Sequence, residues 1–293
     1  MDTANIPPPN TTLAWLTSVV ANLVRVVNQR SAAPPLAAVR WLRPAMPSLE
    51  GKVAIVTGGR RGIGRAIAAG LAAEGARIAI LDVEGAEEAA RAYNGGLGLT
   101  GDVSSETDCA RMVQAVASHF GQIDILVNNA AIFATLKMKP FTEIPLDDFN
   151  RVLGVNVGGV FLMCRAVVPH LRRQGGGKIV NLSSGSFFRG VPFMLHYVTS
   201  KAAVIGMTRA LARELGPDNI CVNAIAPGYT VTEATLGQDE AHMRVGASAP
   251  DARAFRREQR PEDVVGSAVF LCGPASDFVT GQTFAVDGGA HFQ

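Results

Sequence analysis

The chain carries little charge and almost no imbalance of it. Charged residues make up 18% of the 293 positions, and the formal net charge is +2. That balance excludes the basic field of a nucleic-acid-binding surface. The four cysteines, Cys109, Cys164, Cys221 and Cys272, stand apart with no Cys-x-x-Cys pair. Neither a disulfide scaffold nor a zinc site is signalled, so no metal is expected. They read as reduced core thiols of an intracellular protein, with the cytoplasm as the expected compartment. No uninterrupted run of about 18 apolar residues occurs, so no membrane-spanning helix is expected. Internal repeats and low-complexity tracts are also missing. What is present is an apolar fraction of 48%, ample for a large core and contrary to disorder.

The first fifty residues differ from the rest. They hold Arg25, Arg30, Arg40 and Arg43 against Asp2 and Glu50, which is the whole net charge of the chain. Pro7, Pro8, Pro9, Pro34, Pro35, Pro44 and Pro47 divide the segment. Between them Leu13, Leu16, Val20, Leu23, Val24 and Val27 recur at helical spacing, interrupted by polar residues. Three readings stay open for residues 1–48. They pack on the body or on a neighbouring subunit, they form a targeting or membrane-surface segment, or translation starts at Met46 and they are not part of the working protein.

Residues 49–293 read as one α/β domain. Short apolar runs are expected as buried strands at Val53–Thr57, Arg77–Leu81, Leu97–Thr100, Ile123–Val127, Lys178–Leu182, Ile220–Ala224 and Thr283–Val286. Helices are expected between them, at Gly62–Gly75, Glu84–Tyr93, Ser105–His119, Pro145–Arg173, Tyr197–Leu215 and Pro261–Cys272. Such alternation implies a Rossmann-like, doubly wound parallel sheet covered on both faces. The polar span Thr232–Gln259 looks like an excursion from the sheet.

The first strand runs into Thr57-Gly58-Gly59-Arg60-Arg61-Gly62-Ile63-Gly64. Gly58 permits a sharp turn, Gly62 removes a Cβ where backbone approaches a ligand, and Gly64 lets the helix sit close on the sheet. A helix start there offers unpaired N–H groups to a phosphate. The spacing is G-x-x-x-G-x-G rather than the common G-x-G-x-x-G, and a ligand-free glycine turn is the plainer alternative. Asp82 ends the second strand eighteen residues past Gly64, where an acid accepts from the ribose 2′-hydroxyl of NAD and repels the 2′-phosphate of NADP. Glu84 adds to that repulsion. Arg60 and Arg61 argue the other way, so NADP remains the weaker alternative.

Tyr197 and Lys201 are spaced i, i+4 on an expected helix and share a face. A phenol is a poor base at neutral pH, but a nearby ammonium, and an oxidised nicotinamide, would stabilise its phenolate. Tyr197 is then a candidate general acid/base for an alcohol/ketone pair. Ser183-Ser184 closes a buried strand at the carboxyl edge of the sheet, where Ser184 would donate to a substrate oxygen. Strand-end turn chemistry is the plainer reading of that pair.

From about Leu49 to its end the chain resembles a single-domain short-chain dehydrogenase/reductase. The resemblance rests on the glycine turn, Gly101-Asp102-Val103, Asn128-Asn129-Ala130-Ala131, Asn156, Ser183-Ser184, Tyr197-Val-Thr-Ser-Lys201, Pro227-Gly228, Arg260-Pro261-Glu262-Asp263 and Asp287-Gly288-Gly289, in that order. It implies a catalytic tetrad of Asn156, Ser184, Tyr197 and Lys201. Asn156 would interrupt its helix and place a water in a proton relay, and Lys201 would hold the nicotinamide ribose. Asp102 and Val103 would flank the adenine, Asn129 and Ala130 the ribose. Thr232, after Pro227, Gly228 and Thr230, would reach the carboxamide, while Arg61, Ile63 and the turn glycines would hold the pyrophosphate. Three residues depart from the family pattern: Ala131 and Thr230, with little effect expected, and Phe187, expected to narrow the substrate pocket.

The loop Gly185–His196 is rich in apolar residues. Lining the pocket, they imply an apolar, cyclic or aromatic substrate; filling core or a subunit interface, they do not. Arg189 would meet an anionic tail or simply be solvated. The resemblance further implies a homotetramer. The resulting expectation is an oxidoreductase that moves a hydride between NAD and a secondary alcohol or ketone. An NADP-dependent ketone or 3-oxoacyl-carrier reductase is the enzyme alternative. A dinucleotide-binding regulatory or scaffold protein is the other.

Overall fold

The computed structural model describes residues 49–237 and 240–292. The readings for residues 1–48 lie outside the described residues.

Strand β1 (Val53–Thr57) is buried on both faces and leads into helix α1 (Gly62–Ala73). Then come β2 (Arg77–Asp82), α2 (Ala86–Ala90), β3 (Leu97–Thr100), α3 (Glu106–Phe120) and β4 (Ile125–Asn128). The second half contains α4 (Leu146–Leu153), a π-helical segment (Gly154–Gly158), α5 (Gly159–Arg173), β5 (Gly177–Leu182), α6 (Gly185–Arg189), α7 (Leu195–Leu215) and β6 (Ile220–Pro227). It closes with α8 (Glu233–Leu236), α9 (Glu240–Ser248), α10 (Glu262–Cys272) and β7 (Thr283–Val286). The seven strands form one parallel sheet in the order β3-β2-β1-β4-β5-β6-β7.

The period-2 alternation of each strand builds two cores. Val53 and Ile55 of β1 face one core with Met112, Val113, Met163, Val167 and Val204. Ala54 and Val56 face the other with Ile67, Leu71, Ile78, Ile80, Val264 and Leu271. The chain leaves edge strand β3 and re-enters beside β1 as β4. The strand order reverses there, and a crevice opens at the carboxyl ends of β1 and β4. All four cysteines are buried and free.

Local chemistry sets the ends of several elements. Ser105 caps α3 by accepting the Asp108 N–H at 3.2 Å, and Gly121 closes the same helix at φ +81°. Strand β4 starts at Ile125 rather than Ile123 because the Asp124 carboxylate turns back to accept the Val53 N–H and the Lys52 ammonium, each at 2.9 Å. The expected helix Glu84–Tyr93 shortens to Ala86–Ala90.

The expected single helix Pro145–Arg173 is broken by the π-helical segment. Taken as one 28-residue run, Leu146–Arg173 reaches a mean hydropathy of 1.7 over its most apolar stretch. It is long and apolar enough to cross a membrane by length and composition alone, although its charges interrupt any apolar run. Its apolarity has a structural cause, because Val160, Met163, Cys164, Val167, Val168 and Leu171 are buried in the core. Arg165 on the same helix pairs with Glu106 at 2.5 Å.

Candidate active site

The glycine turn opens the crevice. Gly58 sits at φ +62°, and a Cβ there would lie 2.8 Å from Ala130 Cα. Gly64 is packed from below, since its Cβ would meet the Gly58 carbonyl oxygen at 2.3 Å and Asn129 Nδ2 at 2.4 Å. Asn129 clamps the turn by donating to the Thr57 and Gly58 carbonyls at 3.0 and 2.9 Å. Thr57 Oγ1 in turn accepts the N–H groups of Asn129 and Ala130 at 3.0 and 3.1 Å. Thr57 was visible in the sequence as the strand end that opens the glycine-turn motif, with no role for its hydroxyl.

Arg61, ahead of α1, makes no side-chain cap, so the first-turn N–H groups of that helix face the crevice. The Glu233 carboxylate reaches them, accepting the Gly62 N–H and pairing with Arg65 at 2.5 Å; a hydrogen bond from its own backbone N–H first, then the Arg65 charge and the Gly62 N–H, hold its pKa below the usual range. The Glu233 carboxylate thus lies at the start of α1, where helix N–H groups favour an anion.

Asp82 stands at the carboxyl end of β2. It accepts the Arg60 and Val83 N–H groups at 3.2 and 2.9 Å. The Arg60 guanidinium is taken by Glu84 at 2.5 Å. Asp102 accepts the N–H and the hydroxyl of Ser104, both at 2.8 Å.

Tyr197 lies in the first turn of α7, 8% exposed, with its ring 4.8 Å from that of Phe133. Its hydroxyl is hydrogen-bonded to Ser184, and burial pushes the phenol up to about 12. Lys201 is one turn further along. Its Nζ lies 5.8 Å from the Tyr197 ring centroid and donates to the Leu182 carbonyl at 2.8 Å. Burial pulls this ammonium down to about 8. The expected depression of the phenol by the ammonium does not appear: burial raises the phenol against the Ser184 hydrogen bond, and burial alone lowers the ammonium. Ser184 holds its place as the residue ahead of α6, accepting the Ser186 N–H at 3.2 Å.

Asn156 is 1% exposed, at the centre of the π-helical segment. It accepts the Ile132 N–H at 2.7 Å and donates to the Ile132 carbonyl at 3.2 Å and to Ser200 Oγ at 3.0 Å. Ser200 then donates to the Tyr197 carbonyl at 2.7 Å. Both N–H groups of the Asn156 amide are committed to protein. Sequence reasoning quoted Ser200 only within the Tyr-x-x-x-Lys motif and did not reach Ile132, whose part is played by backbone.

A cavity of about 680 Å³ gathers the expected residues. Gly58, Arg61, Gly62, Ile63, Asp82, Asp102, Val103, Asn129, Ala130, Ser184, Tyr197, Lys201, Pro227, Gly228, Thr230 and Thr232 all line it. Gly64 and Asn156 do not; one lies beneath the turn and the other behind Ile132. The excursion after β6 covers this region, held at its base by a bridge between Thr230 and Gln259. Of the apolar residues in the loop after Ser184, Val191 and Met194 reach the cavity. Phe187 does not narrow it as expected: it is 38% exposed because α6 turns its side chain outward. Phe188 stacks on His291 with ring centroids 4.3 Å apart. Arg253, which sequence reasoning passed over, also lines the cavity.

The sheet order, the glycine turn at its switch point and the phenol and amine across the crevice define a dinucleotide-binding oxidoreductase class. The family model described as Enoyl-(Acyl carrier protein) reductase matches residues 58–291. Sorbitol dehydrogenase of Cereibacter sphaeroides is 39% identical over 259 residues, covering 82% of this chain and 98% of that one. 2-Dehydro-3-deoxy-D-gluconate 5-dehydrogenase of Dickeya dadantii is 40% identical over 247 residues, 83% of this chain and 96% of its own. The crystal structure of 3-ketoacyl-(acyl-carrier-protein) reductase from Brucella melitensis complexed with NADH superposes with a TM-score of 0.77 at 35% identity, covering 84% of this chain and all of that one. The chain belongs to the short-chain dehydrogenase/reductase family. It is an oxidoreductase of CH–OH groups and their ketones, and its cofactor is a nicotinamide dinucleotide.

Proposed function

We propose that the protein interconverts a secondary alcohol and a ketone with NAD, using Tyr197 as the general acid/base. The observation that carries this reading is the buried Tyr197 hydroxyl, hydrogen-bonded to Ser184 at the cavity wall one helical turn from Lys201. When bound, the dinucleotide supplies or accepts the hydride, and its oxidised ring adds a positive charge. The chain's own residues do the rest. In the reducing direction the neutral phenol gives its proton to the substrate oxygen; in the oxidising direction it takes that proton back. Ser184 donates a hydrogen bond to the same oxygen as negative charge builds on it. Lys201 supplies a positive charge on the same helix face as the phenol, its Nζ 5.8 Å from the ring centroid and held by the Leu182 carbonyl. Asn156 is a positioning residue, acting through Ile132 and Ser200.

Gly58, Arg61, Gly62, Ile63 and Gly64 would hold the pyrophosphate; Asp102, Val103, Asn129 and Ala130 the adenosine half; Pro227, Gly228, Thr230 and Thr232 the nicotinamide end. The Asp82 carboxylate at the end of β2 supports NAD over NADP, and the capture of Arg60 by Glu84 removes one of the two arginines that would favour a 2′-phosphate. Relatives that act on a polyol, on a sugar acid and on a ketoacyl carrier bracket the substrate without naming it. The walls at Ile132, Phe133, Met138, Val191, Met194 and Val245 support a substrate with an apolar portion. The four free, buried thiols support a reducing compartment, for which we propose the cytoplasm.

The test is a panel of secondary alcohols and ketones assayed side by side with NADH and NADPH. Turnover with an NADH preference is expected. Preference for NADPH would overturn the cofactor assignment, and no turnover of any member would overturn the reaction.

A further inference from the structure

We propose that the substrate carries a carboxylate and that Arg253 and Arg189 receive it at the cavity. This rests on the alcohol/ketone reading above and names the substrate class of the same site.

Arg253 lies between α9 and α10 and is 6% exposed. Its Nη1 donates to the Arg257 carbonyl at 3.0 Å and its Nη2 to the Tyr229 carbonyl at 2.5 Å. Carbonyl oxygens orient the guanidinium without cancelling its charge. A guanidinium offers five N–H donors and stays protonated, so further donors remain on a group that burial disfavours as a cation. The acid that acts on it most is Asp287. That carboxylate is already shared: Oδ1 accepts the N–H groups of Gly289 and Ala290 at 3.0 and 3.2 Å, and Oδ2 lies against His291 Nδ1.

Arg189, at the end of α6, lines the same cavity, and its charge opposes that of Arg253. Neither arginine has an ion pair among the described residues. Arg151 also lines the cavity but is taken by Asp148 at 3.3 Å. Two arginines of like charge with no ion pair among the described residues, one of them desolvated, outnumber the Asp287 carboxylate, which also lines the cavity but is held by the Gly289 and Ala290 N–H groups and His291, and leave a net positive potential beyond Ser184 and Tyr197. A neutral polyol would not relieve it. A planar carboxylate matches the guanidinium fork, and charge-assisted bonds to it are stronger than neutral ones.

The experiment compares 4-hydroxypentanoate with its primary amide as substrates, in the wild type, Arg189→Gln and Arg253→Lys. The acid is expected to show kcat/KM roughly tenfold or more above the amide, and the acid-to-amide ratio is expected to fall toward one in both variants. A parallel titration measures binding of hexanoate and hexanamide to each NAD-loaded protein by calorimetry, which needs no turnover. Selective hexanoate binding that weakens in Arg189→Gln supports the proposal even where Arg253→Lys fails to fold. Equal binding of the two probes by the wild type overturns it. Equal turnover of acid and amide overturns it too, and leaves the hydride-transfer reading standing. Selective hexanoate binding without oxidation of any alcohol would instead overturn the reaction and keep the carboxylate site.

Discussion

Lys201 is held between two opposed demands. Its ammonium must stay charged to support the Tyr197 oxygen, yet it is buried with one carbonyl for a partner. The folded amine has its pKa pulled down to about 8 from 10.5. Between those two values the unfolded chain binds more protons than the folded one, so this residue's contribution to stability rises with pH there. Below about 8 both states are charged, and the full cost of burying the charge is present. Urea unfolding of the wild type and Lys201→Met from neutral pH to pH ~10 checks this. The wild-type-minus-variant difference should grow by on the order of 1–3 kcal/mol in favour of the wild type. A flat difference would mean that Lys201 is not a desolvated cation. Tyr197, pushed up to about 12, has little effect over that window, because the folded phenol stays protonated and the unfolded one ionises only at its upper end, and the residue is common to both proteins.

At the scale of elements, the β1–α1 turn depends on atoms that are missing. A methyl at Gly64 would run into a backbone carbonyl and into the Asn129 amide, which is fixed by two hydrogen bonds. Gly64→Ala is expected to cost roughly 1–3 kcal/mol of stability and to abolish dinucleotide binding. Gly206, exposed in the middle of α7, has nothing within 4 Å of its Cβ position. Gly206→Ala should therefore be neutral or stabilising by about 0.5–1 kcal/mol. Thermal melts of the two variants would separate the readings, and a Gly64→Ala protein as stable as the wild type would contradict the close packing described.

The same contrast shows what the sequence made legible. The turn was readable because glycine spacing after an apolar run is local chemistry, and the strands were readable because their burial leaves short apolar runs. Strand β7 falls on the residues expected. The π-helical break was not readable from periodicity, since apolar residues continue across Gly154–Gly158 and only the family resemblance singled out Asn156. Phe187 was misplaced because residue type does not say which way a one-turn helix such as α6 faces. Arg253 was missed because a buried arginine and a solvated one look alike in a polar stretch.

At the scale of the whole molecule, one parallel sheet brings residues distant in the chain to a single edge. Ser184 comes from the end of β5, Tyr197 and Lys201 from α7, and the turn glycines from β1 and α1. The long helix α5 buries one side and leaves Phe161 49% exposed beneath the Arg165 guanidinium. On the family resemblance we propose a homotetramer, with this face as a candidate contact. Light scattering coupled to size exclusion is expected to return four times the chain mass of 30.7 kDa, and a monomer mass would contradict the assembly.

The proton carried by Tyr197 is central to the proposed chemistry. The direct measurement is the rate of ketone reduction by Tyr197→Phe, with NADH binding followed separately by fluorescence titration. Loss of the hydroxyl is expected to lower the rate by about 10²–10⁴-fold while the dissociation constant for NADH changes little. A variant that binds NADH normally and reduces the ketone at close to the wild-type rate would contradict the mechanism.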